Sequence, residues 1–240
     1  MKKGVAILGS TGSIGTQALE VIQENPELFQ VEVLSAQRNG DLLIEQAMKF
    51  QPNAVVITDH DQYAKVKAAL DPLDIKVYAG SEALEQVVEM ETIDVVLTAL
   101  VGFSGLRPTI KAILAKKQIA LANKETLVVA GELITQMAKE NAVNLYTVDS
   151  EHSALWQGLK SGSKSEVSKL ILTASGGPFR DREDLTTVTI ADALAHPTWA
   201  MGPVVTINSS TLVNKGLEII EAHYLFDIAY SQIEAVIHPQ

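Results

Sequence analysis

The chain has 240 residues, no cysteine and a formal net charge of −10. Disulfides and thiolate metal sites are therefore excluded, and the charge argues against a general nucleic-acid surface, which needs clustered Lys and Arg. With 47% hydrophobic and 20% charged residues, it reads as a globular chain of one large domain or two modest ones. The apolar run at residues 5–8 is too short for a signal peptide and no stretch approaches a membrane span. A cytoplasmic protein with no nucleic-acid or membrane partner is expected.

Short β-rich runs then alternate with longer helical patterns. Residues 5–8, 31–36, 54–57, 95–99, 119–122 and 145–148 are predicted strands, and residues 14–25, 41–50, 63–70, 82–90, 106–116 and 127–140 predicted helices. In the first helix Ile14, Ala18, Val21 and Ile22 recur at helical spacing. The strand runs are apolar without clean alternation, as expected for strands covered on both faces. This alternation predicts an α/β fold with a Rossmann-like, doubly wound parallel sheet.

Gly9-Ser10-Thr11-Gly12-Ser13-Ile14-Gly15 falls between the first strand and the first helix. Glycines there permit close approach of a pyrophosphate, and the helix N-terminus supplies oriented N–H donors. The alternative is a purely structural turn. An NAD site usually ends the second strand on an acid; here Ser35-Ala36-Gln37-Arg38-Asn39 has none before Asp41. Arg38 suits a 2′-phosphate, which favours NADP over NAD, although a solvated Arg is the alternative. Tyr63 and Lys67 have the spacing of the short-chain dehydrogenase pair, but they lie early, in a polar helix, and read as a solvated face.

Val148-Asp149-Ser150-Glu151-His152 directly follows the last of these strands. On an extended backbone Asp149 and Glu151 would point to one side and bring two negative charges together. A hard divalent cation bound by oxygens is the simplest way to hold them. The pattern changes after Ser150, so the domains are expected at 1–149 and 150–240, the second an incomplete α+β unit. Residues 167–174 form a predicted strand opening into Ser175-Gly176-Gly177-Pro178; residues 211–226 read as one helix with Leu217, Ile220 and Tyr224 on an apolar side; residues 233–237 are a last strand.

Glu218 is the candidate third carboxylate, sharing a helix side with Asn214 and Lys215. A charged helix face with a local Lys–Glu pair is the alternative. Gly216 inside that helix costs about 1 kcal/mol relative to Ala, which close approach of a ligand or backbone would explain. Ser209, Asn214 and Lys215 make a phosphate cradle that Ser175 could join. The segment from His196 to Pro203, with Trp199 and Met201, reads as a lid over a bound ligand, or else as a satellite core cluster. His152 and His196 read as acid–base groups or as plain hydrogen-bonding histidines.

Together the stretches GSTGSIG (9–15), LANKETLV (121–128), VDSEHSA (148–154), ASGGPF (174–179), HPTWAMG (196–202) and NKGLEIIEA (214–222) resemble the 1-deoxy-D-xylulose 5-phosphate reductoisomerase family. The resemblance implies NADPH contacts at Thr11, Gly12, Ser13 and Ile14, with Arg38 and Asn39 near the 2′-phosphate and Asn123 and Glu125 near the nicotinamide. It implies Mg²⁺ or Mn²⁺ on Asp149, Glu151 and Glu218. Ser175, Ser209, Asn214 and Lys215 would hold the phosphate of a sugar substrate, Lys124 and Ser150 its carbon skeleton. His196, Trp199 and Met201 would belong to a closing flap. Lys124, His152 and His196, with the three carboxylates, are the expected catalytic groups.

The family reaction rearranges 1-deoxy-D-xylulose 5-phosphate and reduces the product to 2-C-methyl-D-erythritol 4-phosphate, in non-mevalonate isoprenoid synthesis. Family members continue past His238-Pro239-Gln240 and are expected to be homodimers, so the chain reads as about the first three-fifths of such an enzyme. The competing reading is a truncated, catalytically silent NADP-binding module. A semialdehyde dehydrogenase-like reading shares the first domain but lacks the reactive Cys.

Overall fold

The structure, a computed structural model, describes residues 1–199 and 201–238. Ala200 of the HPTWAMG stretch, Pro239 and Gln240 lie outside the described residues. The chain divides into two compact units, Met1–Val148 and Asp149–Gln240. The division falls one residue before the expected boundary, at Asp149, which occupies the N-cap position of the first helix of the second unit.

Unit 1 runs β1 (Lys3–Leu8), α1 (Ser13–Glu24), β2 (Phe29–Ala36), α2 (Gly40–Phe50), β3 (Ala54–Ile57), α3 (His60–Leu70), β4 (Lys76–Ala79), α4 (Ser81–Val87), β5 (Val95–Thr98), α5 (Leu106–Leu114), β6 (Gln118–Leu121), α6 (Glu125–Glu140) and β7 (Leu145–Thr147). The seven strands form one sheet in the order β4-β3-β2-β1-β5-β6-β7, with every pairing parallel. The order reverses between β1 and β5. In such sheets that switch point, at the carboxyl ends of the strands, is where ligands bind. The Gly-rich loop leaves β1 at this place.

Central strands are buried on both sides: all four residues of β3 are 0% exposed. That is why they lack period-2 alternation. In α1 the buried stripe is Gly15, Leu19 and Ile22, with Ala18 packed beside it; Ile14 and Val21 face outward, which corrects the expected apolar face. The sequence reading also missed β4, a four-residue edge strand with no fully buried side chain.

Unit 2 contains α7 (Ser150–Leu159), β8 (Leu170–Ala174), α8 (Ile190–Leu194), α9 (Pro203–Ser210), α10 (Val213–Phe226) and β9 (Ile233–Ile237). β8 and β9 pair in parallel, Leu170 with Ile233 through Ala174 with Ile237. Leu170, Leu172, Ala222, Ile228 and Ile233 form its apolar core, with Leu155, Leu159, Ile219 and Phe226 packed against them. One expectation fails: the segment after Val148 is helical rather than extended. The helix expected over 211–226 is present from Val213, and an unforeseen helix, α9, precedes it across a break at Leu212, whose φ of 60° is left-handed.

Candidate metal centre and ligand-binding groups

The nucleotide loop is fixed by a polar clasp from β2 and α2. Ser35 Oγ accepts from Gly9 N–H at 2.9 Å and the Ser35 carbonyl accepts from Ser10 N–H at 2.8 Å. The buried Ser10 hydroxyl donates to Gln46 Oε1 at 2.7 Å, and Gln46 Nε2 donates back to the Ser10 carbonyl at 2.9 Å. A Cβ on Gly15 would stand 2.3 Å from the Gly9 carbonyl oxygen, so only glycine lets α1 pack this closely on the turn. The helix opens with Ser13 and Ile14, whose N–H groups have no carbonyl one turn back. Thr11 is half-buried, while Gly12, Ser13 and Ile14 are exposed at the tip. Arg38 is exposed beyond the end of β2, and the Asn39 side chain caps α2 by accepting from Leu42 N–H at 3.2 Å.

Asn123 is held between the loops after β5 and β6. Its side chain, 1% exposed, donates to the carbonyls of Leu100 (2.9 Å) and Gly102 (3.0 Å) and to Glu125 Oε2 (2.8 Å), and accepts from Thr126 Oγ1. An amide so fully committed braces the loops after β5 and β6. Glu125, half-buried at the start of α6, is the Asn123 partner, and Lys124 occupies the N-cap position. Tyr63 and Lys67 share a helix face, with the ammonium 5.8 Å from the ring centre and Lys67 exposed, as a solvated face requires.

In unit 2, Asp149, Glu151 and Glu218 come together. One carboxylate oxygen from each lies within 4.8 Å of the others. The route is not an extended strand: Asp149 is the N-cap of α7, Glu151 is its second residue, and Glu218 comes from α10, where it is 1% exposed. The donors are all carboxylate oxygens, which suit a hard cation such as Mg²⁺ or Mn²⁺. Lys215 Nζ donates to Glu151 Oε1 at 2.8 Å and to Glu218 Oε2. Ser150 Oγ donates to Glu151 Oε2 at 2.7 Å, and Asn214 Nδ2 donates to Glu218 Oε1. Burial works to raise the Glu151 carboxyl, but the bonds from Lys215 and Ser150 outweigh it and pull its pKa down to about 2.

His152, expected among the catalytic groups, is instead 0% exposed. Its Nε2 bonds the Glu218 carbonyl at 2.9 Å and its Nδ1 lies 3.5 Å from Glu221 Oε2, which is also wholly buried. Full burial denies it contact with a substrate; it ties α7 to α10. Asp149, His152 and Glu221 form a second convergent group, overlapping the first at Asp149. The all-carboxylate set matches the oxygen preference of a hard cation better than this mixed imidazole–carboxylate group. Gly216 has open space around a Cβ position, so no backbone approach explains it.

A second cluster surrounds Ser175. His196 Nδ1 accepts from Thr198 N–H at 3.2 Å and Trp199 N–H at 3.0 Å, while Nε2 lies 3.1 Å from Ser175 Oγ. Two donors at Nδ1 place the ring proton on Nε2, so the imidazole is neutral and donates to Ser175. Burial pushes the His196 pKa down in the same sense. Ser175 Oγ also accepts from Gly177 N–H at 3.2 Å, which aims its own proton outward. A Cβ on Gly177 would stand 2.5 Å from the Ser209 carbonyl oxygen, which brings the Ser175 loop against the end of α9. Trp199 is 64% exposed, which a satellite core residue would not be; Met201 is half-buried.

Sequence reasoning missed the Ser10–Gln46–Ser35 clasp and the His152–Glu221 tie. Buried polar groups joined across distant elements leave no local pattern. A doubly wound sheet with its Gly-rich turn at the switch point, joined to a unit whose carboxylates converge for a hard cation, defines a class: dinucleotide-fold proteins with a second, metal-site domain.

Residues 5–131 match the family model described as 1-deoxy-D-xylulose 5-phosphate reductoisomerase, and residues 145–226 match its C-terminal domain model. The chain belongs to the 1-deoxy-D-xylulose 5-phosphate reductoisomerase family. The reductoisomerase of Bacteroides fragilis is 58% identical over 241 residues, covering 100% of this chain and 62% of that protein. That of Phocaeicola vulgatus is 57% identical over 242 residues, covering 100% and 63%. A DOX-P reductoisomerase crystal structure in complex with NADPH, fosmidomycin and magnesium superposes with a TM-score of 0.92 at 37% identity, over 99% of this chain and 61% of that one. The Zymomonas mobilis enzyme in complex with NADPH gives 0.90 at 38% identity, over 100% and 62%. This chain thus spans about 62% of the length of the first of these relatives.

Proposed function

We propose that the chain carries the nucleotide, metal and phosphate sites of an enzyme that isomerises and reduces 1-deoxy-D-xylulose 5-phosphate to 2-C-methyl-D-erythritol 4-phosphate. The observation that carries this reading is the convergence of Asp149, Glu151 and Glu218 in a chain of this family. Thr11, Gly12, Ser13 and Ile14 would receive the NADPH pyrophosphate on the α1 N-terminus, with Arg38 and Asn39 at its 2′-phosphate and Glu125 toward the nicotinamide. Asn123 would act on that site through its bracing of the neighbouring loops. Bound at their sites, Mg²⁺ or Mn²⁺ supplies Lewis acidity and NADPH supplies a hydride.

The remaining work falls to side chains. Ser175, Ser209, Asn214 and Lys215 would hold the substrate phosphate, whose remote binding energy fixes the reacting carbons. His196 would keep Ser175 Oγ–H pointed at that anion. Lys124 and Ser150 would contact the carbon skeleton, and Trp199 and Met201 would exclude water. The match over residues 145–226 gives a role to the unit that a silent NADP-binding module would leave without one.

No helix among the described residues is long and apolar enough to cross a membrane. We infer a cytoplasmic location from that together with the absence of cysteine, and a homodimer for the longer protein. The test is metal-dependent oxidation of NADPH with 1-deoxy-D-xylulose 5-phosphate, on this chain, on a full-length relative and on Asp149→Asn. Turnover lost in Asp149→Asn supports the reading. NADPH binding without metal-dependent turnover in the full-length protein overturns it.

A further inference from the structure

Lys215 is the third residue of α10, in the first helical turn, where the macrodipole disfavours a cation. Its side chain is nevertheless only 9% exposed. Glu151 and Glu218 hold it there, each giving one oxygen to the ammonium. Their other oxygens are also engaged, by Ser150 and Asn214 respectively. All four oxygens thus carry a donor, and an incoming cation competes with those donors for the same negative charge. Lys215 is the donor shared by both. Its departure removes the positive charge shared by Glu151 and Glu218 at once, next to Asp149. A divalent ion bound by those carboxylates would repel the ammonium.

We infer that Lys215 is an exchangeable counter-ion. It neutralises Glu151 and Glu218 until a divalent cation takes its place, and the displaced ammonium then serves an anion, so that metal binding arms the phosphate site. The inference rests on the proposed metal and phosphate roles of these residues. An ammonium satisfied by two carboxylates has little attraction left for a phosphate; the same ammonium displaced by a metal has a full charge to offer. By linkage, phosphate must then tighten metal binding by the factor by which metal tightens phosphate binding.

Mn²⁺ binding to this chain, followed by the electron paramagnetic resonance of the free ion, tests the exchange. Lys215→Met, which removes the competitor, is expected to bind Mn²⁺ about tenfold more tightly than the unaltered chain. Equal or weaker binding overturns the exchange while the metal reading stands. No Mn²⁺ binding by the unaltered chain, or binding unaffected by Asp149→Asn and Glu218→Gln, overturns both. Acetic anhydride labelling read by peptide mass spectrometry supplies a measurement without substitution. Acetylation of Lys215 should rise several-fold on adding Mg²⁺ and fall again on adding inorganic phosphate. Labelling that ignores Mg²⁺ overturns the displacement, and labelling that Mg²⁺ raises but phosphate leaves unchanged overturns the arming of the anion site.

Discussion

His196 has both ring nitrogens assigned by its neighbours, which makes its protonation a structural matter. A proton on Nδ1 would break two bonds from backbone N–H groups. Burial holds its folded pKa below the ordinary histidine value, and the unfolded chain binds the extra proton first as pH falls. The stabilising contribution is present above about pH 6.5 and is lost as pH falls through the folded value. A pH series of urea unfolding should show this loss in the unaltered chain and a flatter profile in His196→Gln. At Gly15 the constraint is steric. Gly15→Ala should destabilise unit 1 by about 1–3 kcal/mol despite the better helix propensity of Ala, because the added methyl overlaps the Gly9 carbonyl. Denaturant unfolding measures the loss, and a neutral or stabilised variant would show that the turn yields.

α10 inverts the usual logic of an amphipathic helix. Its buried residues are Lys215, Glu218, Glu221 and Ala222, while Leu217, Ile220 and Tyr224, the expected apolar side, are only half-buried. Charged groups are buried on this scale only when partnered. Here Lys215 answers Glu151 and Glu218, and His152 from α7 stands 3.5 Å from Glu221. Removing one member of the His152–Glu221 tie strands the other. Glu221→Leu alone is expected to cost about 3–5 kcal/mol, whereas pairing it with His152→Phe should recover most of that. If the double variant is no better than the single, the pair does not act as a unit. α7 itself was readable. Asp149 followed by Ser150 and Glu151 is a helix-start composition, and Pro203 at the first position of α9 is another. The competing strand reading won at residues 149–151 because β7 runs straight into them.

At the level of the whole molecule, the two compact units each have their own core. Both tryptophans, Trp156 and Trp199, lie in unit 2, so their fluorescence follows that unit while circular dichroism follows both. Urea transitions from the two probes should separate once Mn²⁺ is added. At a hundred times its dissociation constant a ligand adds about 2.7 kcal/mol to the unit that binds it. NADPH should shift the dichroism transition of unit 1 instead. Asp149→Asn should abolish the Mn²⁺ shift and leave the NADPH shift intact; transitions that coincide under all conditions would mean one cooperative unit.

By itself the sequence determined the doubly wound sheet, its Gly-rich turn and the acidic residues that converge in the second unit. Those features are local: buried strands announce themselves by unbroken apolar runs, and a turn by its glycines. Edge strand β4 stayed hidden because a short, half-exposed run of Lys76–Ala79 carries too little apolar signal. Only the tertiary structure decided that Asp149 and Glu151 meet Glu218 through a helix N-terminus, and that the Lys215 ammonium stands between two of those carboxylates. It alone decided that His152 is wholly buried against the Glu218 carbonyl and that the Asn123 amide reaches the Leu100 and Gly102 carbonyls. Each of these depends on which distant side chain arrives at which atom, and hydrogen-bond partnership across elements leaves no trace in residue order.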